Sequence, residues 1–136
     1  MSFATAVAEL QTQLTTAAGL AEYADQRVES LATVGGPLDG VYLLRARSVG
    51  EPWFEAQVSP TIWFAKMRLE ICTLLADDEL TQMAVAATRG QAATENLLHT
   101  SLTSGTVFNS QPSQLLRQAK NRRLVWTWDF SLRYVE

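Results

Sequence analysis

The stretch Arg122-Arg123-Leu124-Val125-Trp126-Thr127-Trp128-Asp129-Phe130-Ser131-Leu132-Arg133-Tyr134-Val135-Glu136 alternates with a period of two. Leu124, Trp126, Trp128, Phe130, Leu132 and Tyr134 fall on one face, and Val125, Thr127, Asp129, Ser131, Arg133 and Val135 on the other. Such alternation marks a β-strand buried on one side. Burying a large apolar side chain contributes about 1.5–3 kcal/mol. A stretch carrying six of them on one face is expected to lie inside a sheet, and its partners must be sought upstream.

Two upstream stretches share the pattern. In Val41–Ser48, Tyr42, Leu44 and Ala46 alternate with Leu43, Arg45 and Arg47. In Thr61–Leu75, Trp63, Ala65, Met67, Leu69 and Ile71 oppose Phe64, Lys66, Arg68, Glu70 and Cys72. Gly50-Glu51-Pro52 is a turn signal between them, and Trp53–Val58 is expected to be short and extended before Ser59-Pro60 interrupts it.

Helical signals flank these strands. Ser2 can cap a helix from Phe3 to Thr15 whose Phe3, Val7, Leu10 and Leu14 share one face, with Gly19 beyond its end. Asp77, Asp78 and Glu79 suit the start of a second helix, running to Thr100 with Gly90 as a bend. Residues 20–40 have weak periodicity and crowd Gly35, Gly36, Pro37, Asp39 and Gly40 together, predicting an irregular arm or loop. Val107 and Phe108 can form a short strand, and Ser113–Ala119 one or two helical turns.

These elements predict a single α+β domain over residues 1–136. It is a mainly antiparallel β-sheet with two main helices packed on one face, in α-β-β-α-β order. The core is expected to comprise Leu10, Leu14, Leu44, Met67, Leu69, Trp126, Trp128, Phe130 and Leu132. The other face of the sheet, with Arg45, Arg47, Phe64, Lys66, Arg68, Glu70, Asp129 and Arg133, would be open to solvent in a monomer. On it Asp129 is expected to pair with Lys66 or Arg68, and Glu70 with Arg133.

Composition narrows the function classes. Apolar residues make up 47% and charged residues 18%, which places the chain among globular proteins. No apolar run approaches the roughly eighteen residues of a membrane helix, and no basic segment followed by an apolar one suggests a secretory signal. With Cys72 as the only cysteine, no internal disulfide can form. Residues 1–79 hold eleven acidic and five basic side chains, whereas residues 80–136 hold three and six. A general nucleic-acid binder is more basic overall.

Catalytic signals are weak. His99, the only histidine, lies in an amphipathic stretch without a nucleophile turn nearby, and Cys72 on a strand suits a small packed side chain. Asp77-Asp78-Glu79 point in different directions on a helix and make a poor cation site. Val34-Gly35-Gly36-Pro37 lacks the lysine and hydroxyl residue of a phosphate loop. The expectation is a protein with no enzymatic activity, metal or cofactor. The basic run Arg117, Lys120, Arg122 and Arg123 fits a solvated flank, a protein contact or a DNA contact.

The layout resembles the tail terminator (tail completion) proteins of long-tailed bacteriophages. Four features carry the likeness: the N-terminal amphipathic helix, the arm leading into Gly36-Pro-Leu-Asp-Gly-Val-Tyr-Leu-Leu, the long stretch Thr61-Ile-Trp-Phe-Ala-Lys-Met-Arg-Leu-Glu-Ile-Cys-Thr-Leu-Leu-Ala-Asp-Asp-Glu-Leu, and the terminal Val125-Trp-Thr-Trp-Asp-Phe-Ser-Leu-Arg-Tyr-Val-Glu. The resemblance implies a homohexameric ring assembled in the host cytoplasm and resident in the virion neck. Such a ring caps the tail tube, ends its polymerisation and meets a head-side connector or stopper protein. In contractile tails it also meets the sheath, and DNA passes only through the lumen. No functional residue carries over from the family. The polar sheet face is therefore expected, from this sequence alone, to be a subunit interface or a lumen surface. Another neck component is the nearest rival reading, and a small α+β ligand-binding domain or hydrolase the more distant one.

Overall fold

A computed structural model describes residues 3–16, 19–24, 28–35, 38–46, 53–54, 62–74, 80–81, 84, 105–109, 114–118 and 123–135. Its elements run in the order α1 (Phe3–Thr16), β1 (Ala21–Glu22), a 3-10 turn (Leu31–Thr33), β2 (Val41–Ala46), β3 (Trp53–Phe54), β4 (Ile62–Leu74), β5 (Gly105–Asn109), β6 (Gln114–Gln118) and β7 (Arg123–Val135).

The two long alternating stretches form the spine. β4 and β7 pair antiparallel along their whole lengths, from Ile62 opposite Val135 to Leu74 opposite Arg123. Each then carries two shorter strands on its outer edge. On β4 these are β2, opposite Met67–Cys72, and β3, opposite Trp63 and Phe64. On β7 they are β5, opposite residues 130–134, and β6, opposite residues 123–127. β1 joins β2 in parallel, and the whole sheet curls into a half-barrel.

The apolar face buries Tyr42, Leu44, Ala65, Met67, Leu69, Ile71, Val107, Trp126, Trp128, Phe130, Leu132 and Tyr134 against Ala6, Leu10 and Leu14 of α1. All nine residues expected in the core are buried. Trp128 and Phe130 stack with ring centroids 4.6 Å apart, and Phe3 tilts onto Tyr134 at 5.3 Å. Beyond α1, Gly19 adopts φ 68°, a left-handed conformation open to glycine, and the Leu20 N–H turns back to the Leu14 carbonyl.

The fold class differs from the sequence expectation. The elements described in full are seven strands and one α-helix, so the protein is mainly β, and among the described residues the expected two main helices in α-β-β-α-β order are not seen. Residues 114–118 form strand β6 rather than helical turns. Gln, Leu and Arg are good helix formers, but pairing with β7 overrides that local preference. Of the helix expected over residues 77–100, only Leu80, Thr81 and Ala84 are described, and they are helical. His99 and the Asp77-Asp78-Glu79 cluster lie outside the described residues.

Candidate functional site

The second face of the sheet is not uniformly open. At its Leu74–Arg123 end the arm lies across it. Leu31 fills a small second core with Leu43, Cys72 and Val125, with Tyr23, Ala32, Leu38 and Val41 packed around them. This covering follows from the sheet itself, because Leu43, Cys72 and Val125 make that end of the face apolar.

Polar contacts fasten the arm over this core. Ser30 caps the 3-10 turn, its hydroxyl accepting from the Ala32 N–H at 3.1 Å and donating to Glu70 Oε1 at 2.7 Å. The Leu31 N–H donates to Glu70 Oε2 at 2.7 Å, and Arg123 Nη1 donates to the Leu31 carbonyl at 2.8 Å. Gln118 Nε2 donates to the Ala32 carbonyl at 3.0 Å. One peptide segment is thus clasped between a buried acid and a buried base from neighbouring strands. Glu70 is 3% exposed and Arg123 0%. Charges this buried require such partners, because an unmatched buried charge is costly.

Cys72 lies beneath the same clasp, its thiol donating to the Leu38 carbonyl at 3.7 Å. Burial pushes the thiol up to about 11, with Asp39 and Glu70 adding to the rise and Arg123 opposing it. It therefore stays protonated at neutral pH, packed among apolar side chains.

The other half of the face lies beyond the arm and is charged, its side chains half-buried except for the exposed Lys66. In register, Arg45 on β2 lies opposite Arg68 on β4, which lies opposite Asp129 on β7. Arg68 grips Asp129 through two parallel bonds, Nε to Oδ1 at 2.8 Å and Nη2 to Oδ2 at 3.1 Å. This contact, before any other cause, raises the pKa of Arg68 further above its usual value. Lys66, opposite Ser131, is exposed, and Arg133 lies between Phe64 and Thr106. Four basic groups against one carboxylate give this strip a net charge of +3, on a chain whose net charge is −3.

The residues named from sequence therefore separate. Arg45, Phe64, Lys66, Arg68, Asp129 and Arg133 share the charged half of one face. The expected pair Arg68–Asp129 forms. The expected pair Glu70–Arg133 does not: Glu70 is level with Thr127, six positions and roughly 20 Å along β7 from Arg133. Glu70 and Arg123 leave the contact set altogether, since the arm buries both. Arg117 occupies a β6 position opposite Leu124, while Arg47, Lys120 and Arg122 lie outside the described residues. Sequence reading missed Ser30, Leu31 and Gln118. A serine directly before an apolar residue, as in Ser30-Leu31, was the available capping signal.

Among the described residues, no group of three or more acidic, histidine or cysteine side chains is placed to hold a metal ion, and no helix is long and apolar enough to cross a membrane. No protein-family model matches the chain, and no curated protein matches it.

Proposed function

We propose that this chain is a ring-forming structural subunit that caps the tail tube of a long-tailed bacteriophage, ends its polymerisation and joins the tail to the head-side connector. In this reading six copies close into a ring in the virion neck. The ring meets the tube protein on one side and a connector or stopper on the other, with the sheath as a further partner in contractile tails. DNA passes through its lumen.

The observation that carries the reading is the charged half of the second sheet face. A strip of net charge +3 across three strands, on a net negative chain, suits contact with another macromolecule better than free solvent. The stretches behind the family likeness lend support: the amphipathic helix is α1, and the two long alternating segments are 13-residue strands paired throughout. A cap must add to a tube end without seeding another layer. A closed cyclic ring does so, whereas an interface that fails to close gives filaments.

The test combines mass photometry of the purified chain with a tube-growth assay. The expected result is a discrete ring-sized species that halts elongation of phage tail tubes when added during assembly. A chain that stays monomeric at every concentration and leaves tube length unchanged overturns the proposal. A ring that binds a head-side connector but never a tube would make it a different neck component.

A further inference from the structure

The charged strip has a counterpart elsewhere on the same chain. Glu22, Glu29 and Asp39 are all exposed. Glu22 lies on β1 opposite Tyr42, with Gln11 Nε2 3.4 Å from its carboxylate. Glu29 directly precedes Ser30, which is tied to Glu70, and Asp39 accepts the Leu74 N–H at 3.2 Å. Glu22 thus lies at the β1 edge level with Tyr42, Glu29 along the arm beside the Ser30–Glu70 contact, and Asp39 at the end of the sheet where Val41 meets Cys72. The basic strip begins beyond it, where Arg45 meets Arg68.

Asp39, at the Val41–Cys72 end, does little to neutralise the strip of its own chain. Val41 to Arg45 is four residues, roughly 13 Å along a strand, and Cys72 to Lys66 is six, roughly 20 Å. Both distances exceed the screening length of about 8 Å at physiological ionic strength. The strip also holds like charge against like: Arg45 stands directly opposite Arg68, and the one carboxylate beside them, Asp129, matches only one of the two charges. An acidic surface brought in from outside removes that penalty.

We infer that the basic strip of one protomer docks on the acidic arm margin of a second copy of this chain, with Arg45 and Lys66 meeting Glu22 and Glu29 of that copy. The inference rests on the ring reading above and names the contact by which the ring closes. Because the two surfaces are different patches of the chain, the contact is head to tail, which gives a ring where the rotation between copies closes.

Two full-length variants test it: Arg45→Glu/Lys66→Glu in the strip, and Glu22→Lys/Glu29→Lys in the margin. Circular dichroism establishes that each is folded. Arg45→Glu removes a like-charge contact with Arg68, so poor folding is not expected of the strip variant. By mass photometry, each variant alone should need a concentration about tenfold higher or more for half-assembly. An equimolar mixture should recover the parental assembly, because each reversed surface then meets a complementary one. Parental behaviour of both variants, or no recovery on mixing, overturns the inference while leaving a ring-forming parent intact. A parent that is monomeric at all concentrations overturns the ring reading and this contact together. If both variants assemble normally and the strip variant alone loses retention on duplex DNA, the strip faces nucleic acid and the inference is wrong.

Discussion

Glu70 on β4 accepts the backbone N–H of Leu31 at 2.7 Å, joining positions 39 residues apart in sequence. The same carboxylate takes the Ser30 hydroxyl, and Arg123 takes the carbonyl of Leu31. The arm is therefore attached through its backbone at Leu31 as well as through the Ser30 hydroxyl and the buried Leu31 side chain.

Replacing Glu70 with alanine leaves a buried N–H and a part-buried hydroxyl without their acceptor. The expected loss is about 1–3 kcal/mol in urea denaturation. It should be accompanied by faster hydrogen exchange at the Leu31 amide. Glu70→Gln keeps an acceptor oxygen and should lose less. Parental stability and exchange in Glu70→Ala would show that the clasp does not hold the arm.

Trp128 is fully buried at the centre of the core, beside Trp126 and stacked on Phe130. Trp128→Ala should cost about 3–5 kcal/mol. A midpoint in chemical denaturation equal to the parent's would remove Trp128 from the core.

Two glycines should respond to alanine for different reasons. At Gly105 a Cβ would stand 2.8 Å from the Arg133 carbonyl oxygen and 3.1 Å from Leu132 Cδ1. Overpacking of this kind costs about 1–3 kcal/mol. At Gly19 a Cβ would meet nothing within 4 Å, but φ is +68°, and a left-handed conformation costs a non-glycine residue about 1–2 kcal/mol. A second-site change of Leu132 to a smaller residue should relieve part of the first penalty and none of the second. Equal relief of both would contradict these separate origins.

Stability should fall at alkaline pH in part through Cys72. Its pKa is raised from 9.0 to about 11 in the folded protein, so the unfolded chain releases the thiol proton first. The contribution is present below pH 9.0 and is lost as pH rises through about 11. Tyr42, also raised by burial, acts in the same direction. The Cys72-specific part is the difference between the parent and Cys72→Ala, measured by denaturation across that range. An identical pH slope in the two proteins would eliminate it.

The sequence was legible where alternation was long. Arg123–Val135 and Ile62–Leu74 each repeat their period across 13 residues, and the helix Phe3–Thr16 repeats its own. Of the short elements, β2, β3 and β5 fall where strands were expected, but β6 does not, for a physical reason. Gln114–Gln118 offers only five residues, too few for either period to emerge, and its state is set by β7. The irregular arm was legible as such, but its anchoring was not, because its anchors are contributed by distant residues. Nothing local to Leu31 indicates that Glu70 and Arg123 will meet its N–H and its carbonyl. Strand alternation alone assigns Arg45, Lys66, Arg68, Asp129 and Arg133 to one face, and the strand register agrees. Which of that face's charges would be buried depended on the arm and could not be read.

The β4–β7 pairing has a kinetic consequence. Its nearest partners in sequence, Leu74 and Arg123, are 49 positions apart, and its farthest, Ile62 and Val135, are 73 apart. The hairpin of β6 and β7 can form locally, because Gln118 faces Arg123 across a short connection. The spine cannot, and closing so long a loop costs entropy before any ladder contact offsets it. Chains dominated by such distant pairings fold in milliseconds to seconds rather than microseconds. Until β7 arrives, the long edge of β4 is a template for the wrong strand. Newly made chains at high concentration therefore face a race between closing this pair and joining a neighbour's.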